Sequence, residues 1–222
     1  MRCQGRPHRH FHVIRLVNQQ QQRMSKKNKS KPTTQPVIDP VLAAPALPIR
    51  IDLGCGPRKR EGFIGVDTLS FPGVDVVADL NEKWPWQDGT VDEAHSSHCI
   101  EHFNAMQRVH FVNELYRVMK VGAKATLIAP HWASCRAYGD PTHQWPPISE
   151  FCFFYWSKAW RDANAPHTDS NNLKGGFSCD FTVTWGYTLE PGVAMRNQEY
   201  QQQAMTYWKE ACQDVIATLV KV

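Results

Sequence analysis

The chain has 222 residues, 42% of them hydrophobic and 21% charged, which is enough to bury one full core and is ordinary for a globular protein. No run of about 18 apolar residues occurs, so no membrane span and no membrane partner is expected. The net charge of +4 is unevenly placed: nine Lys/Arg and no acid precede Asp39, which leaves 37–222 at −5. A basic tail can hold phosphate, but an acidic body is a poor nucleic-acid platform, so a nucleic-acid partner is not favoured.

Residues 1–36 read as a disordered basic extension and 37–222 as the folded domain. The segment opening at Met24, "MSKKNKSKPTTQP", is polar, lysine-rich and typical of a functional start. The stretch before it lacks the apolar core of a secretory signal. Seven scattered cysteines without a C-x-x-C argue for reduced thiols and a cytoplasmic location, and against a disulfide framework. The apolar stretch from Val37 to Ile49, broken by Pro40, Pro45 and Pro48, reads as an extended lead-in.

From there the predicted elements alternate. "IRIDLGCG" (49–56) is a strand running into a glycine turn. "GFIGVD" (62–67) is a second strand ending in an acid, "VDVVADL" (74–80) a third, and "TVDEAHSS" (90–97) a fourth after the Asp88-Gly89 turn. A helix is expected over about 105–119, with Val109, Val112, Leu115, Tyr116 and Met119 as its apolar stripe, Asn104 near its start and Gly122 as its stop. "AKATLIAP" (123–130) is a fifth strand. Residues 131–160 are crowded with aromatics, histidines and prolines, and Phe151, Phe153, Phe154 and Trp156 fall on a predicted helix. An alternating strand (179–191), a helix (197–214) and a closing strand (215–222) complete a seven-stranded set. The fold class is α/β, a doubly wound, mostly parallel Rossmann-like sheet with the aromatic-rich segment after the fifth strand.

Such sheets bind ligands at the carboxyl ends of their strands, so Gly54, Gly56, Asp67, Asp79, Ser97 and His98 should line one edge. The third glycine of a dinucleotide fingerprint is missing, its place taken by Lys59, and no long helix fits between Gly56 and Phe63 to face a pyrophosphate. A sulfonium cofactor carries no phosphate and needs no such helix. Asp52, within D-x-G-x-G, suits a ligand bearing an ammonium group.

"IDLGCGPRKREGFIGVD", "DVVADLNEKWPWQDGTVDEAHSSHCIEHF" and "NELYRVMKVGAKATLIAP" together resemble the class I S-adenosylmethionine-dependent methyltransferases, most of all the type 11 group with a shortened first helix. The resemblance runs from Ile49 to Pro130 and continues in "DPTH" (140–143). It implies S-adenosyl-L-methionine as cofactor. Asp52 and the backbone of Gly54, Cys55 and Gly56 would hold its methionine end, Asp67 the ribose hydroxyls, Asp79 and Leu80 the adenine, and Ser97 and His98 the region of the methyl group. Arg58 and Gly122-Ala123 depart from the usual pattern without removing a ligand-facing side chain.

The implied activity is methyl transfer to an unidentified small or macromolecular acceptor by in-line displacement, which asks the protein mainly to align a nucleophile and exclude water. Where the acceptor must lose a proton, His98, His131 and His143 are the candidate bases, all at or beyond strand ends. The aromatic segment is expected to cover the site, and Asp140 before Pro141 to shape a turn. Two alternatives stand beside this one. The first is a silent S-adenosylmethionine-binding protein. The second is a zinc-dependent hydrolase, because His98, Glu101 and His102 spell H-x-x-E-H. The expectation is that no metal is bound there: His98 ends a strand, so it need not share a helical face with His102.

Overall fold

The structure, a computed structural model, describes residues 47–166 and 175–222. The basic extension, with Met24, lies outside the described residues.

Seven strands form one sheet: β1 (Arg50–Leu53), β2 (Ile64–Asp67), β3 (Val76–Val77), β4 (Val91–Ser97), β5 (Met119–Pro130), β6 (Phe181–Leu189) and β7 (Cys212–Lys221). Their order is β3-β2-β1-β4-β5-β7-β6. The first five are parallel, and β7 runs antiparallel to both β5 and β6. The central strands are short apolar runs because both faces are covered: Ile51, Leu53, Val66 and Val91 are fully buried. The chain reverses direction across the sheet between β1 and β4, which opens a crevice at their carboxyl ends.

The connections β1–β2, β2–β3 and β3–β4 hold no helix, so among the five parallel strands the expected alternation of strand and helix is confined to the crossover from β4 to β5. There α1 (Ala105–Val118) is started by a capping box: Gln107 N–H donates to Asn104 Oδ1 at 3.0 Å and Asn104 N–H to Gln107 Oε1 at 2.8 Å. Its buried face carries Phe111, Val112, Leu115 and Val118. Trp84 packs edge-on to Phe111 at 5.2 Å and donates its indole N–H to the Leu80 carbonyl at 3.1 Å. Losing so large a buried ring costs about 3–5 kcal/mol. Gly122 is not the stop of α1. Met119 already has extended backbone and opens β5, and Gly122 (φ +78°) sits in the irregular start of that strand, where its pairing with β4 shifts register.

Beyond β5 come α2 (Arg136–Gly139), α3 (Glu150–Phe154), α4 (Lys158–Asn164), α5 (Pro191–Ala194) and α6 (Gln198–Tyr207). The helix expected to run to residue 214 ends at Tyr207, because Cys212 onward is taken up by pairing in β7. The aromatic segment divides in two. Phe153 and Trp156 are core, and Phe154 stands edge-on to Trp185 of β6 at 5.3 Å. Gln144 of this segment meets the turn after β4, its N–H donating to the Glu101 carbonyl at 2.9 Å.

Candidate functional site

The glycine turn after β1 is held on both sides. Gly54 and Cys55 N–H both donate to the Val66 carbonyl, at 2.8 and 3.1 Å. Gly54 has φ +67°, and a Cβ there would lie 2.4 Å from Cys99 Sγ. The residue must therefore be glycine for two reasons, conformation and space. Gly56 has φ +52°, and a Cβ added to it would meet nothing within 4 Å, so its backbone faces open space. That is the arrangement a ligand needs to approach main-chain atoms closely.

Asp67 ends β2 with its carboxylate anchored: Oδ2 accepts Gly56 N–H at 2.9 Å and Oδ1 accepts Leu69 N–H at 3.0 Å. Each oxygen keeps a further lone pair for a ligand hydroxyl. Asp52 is placed differently. It is 3% exposed, Oδ2 accepts Arg60 N–H at 2.8 Å, and Oδ1 lies 2.7 Å from Nδ1 of His95, its register neighbour on β4. Its side chain thus ties the loop after the glycines to the sheet. His95 is a residue that sequence reasoning passed over; the alternation of β4, which turns residue 95 to the same face as 52, was the available signal.

Asp79 is exposed and braces the turn after β3 by accepting Asn81 N–H at 2.9 Å and the Asn81 amide at 2.8 Å. Leu80 beside it is buried in the core. The Cys55 thiol is raised above its ordinary value by burial and by the nearby Asp52 and Asp67, which keeps it protonated and inert.

At the end of β4, Ser97 pairs with Ile128 and His98 turns out of the strand with φ +54°, an unusual conformation for a residue with a side chain. Its imidazole is 37% exposed, with Nδ1 3.3 Å from Glu101 Oε1 and Nε2 3.9 Å from Asp214 Oδ1. Glu101 raises the His98 pKa and partial burial opposes it. Glu101 and His102 lie on a single 3₁₀ turn, Ile100–His102, so His98 and His102 share no helical face. The side chains brought together are instead Glu101, His102 and His143.

His131 and His143 part company. His131 is 3% exposed, with Nε2 3.3 Å from Glu150 Oε2, and lines a separate polar cavity of about 410 Å³ with Tyr187 and Cys212. Burial lowers its pKa, and Glu150 offsets this only partly. His143 stacks edge-on to His102 at 4.7 Å near the end of β4. Asp140 shapes its turn as expected, accepting from both the N–H and the hydroxyl of Thr142 at 2.8 and 2.7 Å. An apolar cavity of about 390 Å³ lies between α1 and α3, lined by Arg108, Val109, Phe151 and Trp156 and by none of the residues at the glycine turn.

Comparison with known proteins bears on the fold. Residues 60–127 match the family described as "Methyltransferase domain". A SAM-dependent methyltransferase from Archaeoglobus fulgidus superposes with a TM-score of 0.56 over 79% of this chain and 87% of that one, at 18% identity. Geranyl diphosphate C-methyltransferase from Streptomyces coelicolor A3(2) overlays more loosely, with a TM-score of 0.44 over 79% and 71% of the two chains at 16% identity. A 109-residue stretch, 47% of this chain, is 27% identical to E3 ubiquitin-protein ligase pellino homolog 2 of Mus musculus and spans 25% of that protein. Residues 60–127 are thus similar to the methyltransferase domain family, and the chain shares the Rossmann-like fold of the Archaeoglobus fulgidus SAM-dependent methyltransferase.

Proposed function

We propose that the carboxyl edge of β1, β2 and β4 binds S-adenosyl-L-methionine and that the protein moves its methyl group to an acceptor by in-line displacement. The observation that carries this reading is the Asp67 carboxylate joined to the Gly56 N–H at 2.9 Å, beside a glycine turn that admits no side chain at Gly54. The cofactor, when bound, supplies an electrophilic methyl group on a sulfonium.

The chain's own residues supply binding and alignment. The backbone of Gly54, Cys55 and Gly56 holds the methionine end. Asp52 acts one step back, keeping the loop in place through Arg60 and His95. Asp67 accepts from the ribose hydroxyls, Asp79 accepts from the adenine amino group, and Leu80 backs the ring from the core side. Ser97 and His98 stand nearest the methyl group. Of the three histidines, His98 is our choice to take a proton from the acceptor: it is partly exposed at the strand end, and Glu101 favours its protonated form. His131 faces a different cavity, and His143 is committed to the cluster with Glu101.

No helix among the described residues is long and apolar enough to cross a membrane. Free cysteines, four of them with thiols held up at about 11 or 12 by burial, suit a reducing cytoplasm. The test is calorimetric titration with S-adenosylhomocysteine and, separately, NADH. Binding of the first and not the second is expected, with the affinity lost in Asp67→Ala. Equal affinity of wild type and variant for S-adenosylhomocysteine would remove Asp67 from the site.

A further inference from the structure

We propose that Glu101, His102 and His143 form a binding site for one divalent transition-metal cation at the end of β4, distinct from the H-x-x-E-H reading of the sequence. One ligand-capable atom from each of the three residues lies within 4.8 Å of the other two. Metal bonds of ~2.1 Å would draw these atoms to a separation of ~3.4 Å.

Three observations support a ligand here. Glu101 is 4% exposed, yet neither carboxylate oxygen has a hydrogen-bond partner. His98 makes an ion-pair contact at 3.3 Å to Oε1, outside hydrogen-bond geometry, and Oε2 has no hydrogen-bond partner. Buried carboxylate oxygens without hydrogen bonds are costly, and a cation bound to them would offset that cost.

Secondly, both imidazoles are oriented with a lone pair to spare. The Thr142 hydroxyl donates to Asp140 Oδ1 at 2.7 Å, so at its 3.0 Å contact with His102 Nδ1 it must accept. The protonated nitrogen of His102 is therefore Nδ1. His143 Nδ1 faces the Ala137 carbonyl at 3.3 Å, which can only accept, so it too carries the proton. Each ring is left with Nε2 as its donor to a metal. Partners that set the tautomer in this way are what metal-ligating histidines have.

The ligand-bearing segments are also locked together in advance. The buried Arg108 guanidinium donates to the carbonyls of Ile100 at 3.2 Å, Glu101 at 3.3 Å and Gln144 at 3.0 Å, and also to that of Pro146. Two imidazoles and one carboxylate prefer zinc, cobalt or iron(II) to magnesium, and they leave coordination positions open for water or a ligand oxygen.

The site stands on side chains alone and does not depend on methyl transfer. The full chain is used with His8, His10 and His12 each changed to Gln, so that the N-terminal histidines do not compete. After chelator treatment and dialysis it is titrated with Zn²⁺, Co²⁺ and Mg²⁺. One equivalent of Zn²⁺ is expected, with a raised Tm and Co²⁺ ligand-field absorption, and weaker binding of Mg²⁺. His102→Gln and His143→Gln should each weaken Zn²⁺ binding at least tenfold. Thr142→Val should weaken it roughly tenfold or less, and His110→Gln should leave it unchanged. Absence of a one-equivalent site, or Zn²⁺ affinity indifferent to both ligand substitutions, overturns the proposal. S-adenosylhomocysteine binding, measured on the same samples, reports on the cofactor reading separately.

Discussion

Replacing Gly54 by Ala tests the glycine turn most directly, because two separable penalties meet there. The backbone φ of +67° costs an L-residue about 1–2 kcal/mol. The new Cβ would lie 2.4 Å from Cys99 Sγ and 2.7 Å from Cys99 Cβ, far inside the ~3.5–4.0 Å of ordinary carbon contacts. Cys99 is itself packed in the core, so relief means shifting the chain, at about 1–3 kcal/mol for overpacking. Gly54→Ala should therefore lose about 2–5 kcal/mol of stability. Gly56→Ala is the internal reference: its φ is +52° with open space around it, so only the backbone penalty of about 1–2 kcal/mol applies. Urea unfolding followed by far-ultraviolet circular dichroism gives both values, and titration with S-adenosylhomocysteine gives the binding cost. Gly56→Ala should weaken binding more than it weakens the fold, since its Cβ would stand where ligand approaches. Equal destabilisation by the two substitutions, within about 0.5 kcal/mol, would refute the packing argument.

Asp67→Ala should weaken S-adenosylhomocysteine binding by about 1.5–3 kcal/mol while the fold survives, read by calorimetry alongside the unfolding midpoint. Glu114→Gln should cost about 1–3 kcal/mol at neutral pH, because this buried carboxylate holds the Trp84 N–H at 2.7 Å and the Arg117 guanidinium at 2.6 Å. Burial acts to raise the Glu114 pKa, but Arg117 and Trp84 prevail and the net shift is downward. The stability it contributes is thus present above the usual glutamate value near 4.5 and is lost as pH falls through its lower folded value. Wild type and Glu114→Gln should converge in acid, and a gap that stays constant to low pH would count against the assignment. Arg108→Met should destabilise by about 3 kcal/mol and speed hydrogen exchange at Gln144, whose N–H rests on Glu101. Deleting residues 1–23 should change neither Tm nor cofactor affinity.

Much of the molecule was legible one segment at a time. The alternation of 179–191, the apolar runs at 49–53 and 123–130, and the stripe from Val109 to Leu115 each mark an element that the structure contains. The Asn104 cap and the glycine turn before Asp67 were equally readable, because a cap or a tight turn involves residues three or four apart. The errors fall where neighbours in space overrode local preference. The helix expected through residue 214 stops at Tyr207 because β7 recruits Cys212 for pairing with β6. Gly122, expected as the stop of α1, sits instead in β5, because Met119 already pairs with Val91.

The site shows the same division. Local pattern alone gave Gly54, Gly56 and Asp67 a common edge, since parallel strands all present their carboxyl ends on one side. That Asp52 is spent on His95 and Arg60 depended on the pairing of β1 with β4, which sets residues 43 positions apart side by side. The meeting of His143 with Glu101 and His102 depended on Arg108 gathering carbonyls from two loops. Backbone periodicity is written in neighbouring residues because it arises from their own dihedrals and nearest contacts. Which distant side chains converge is settled only when loops close and the core packs, and there the tertiary structure decided the chemistry.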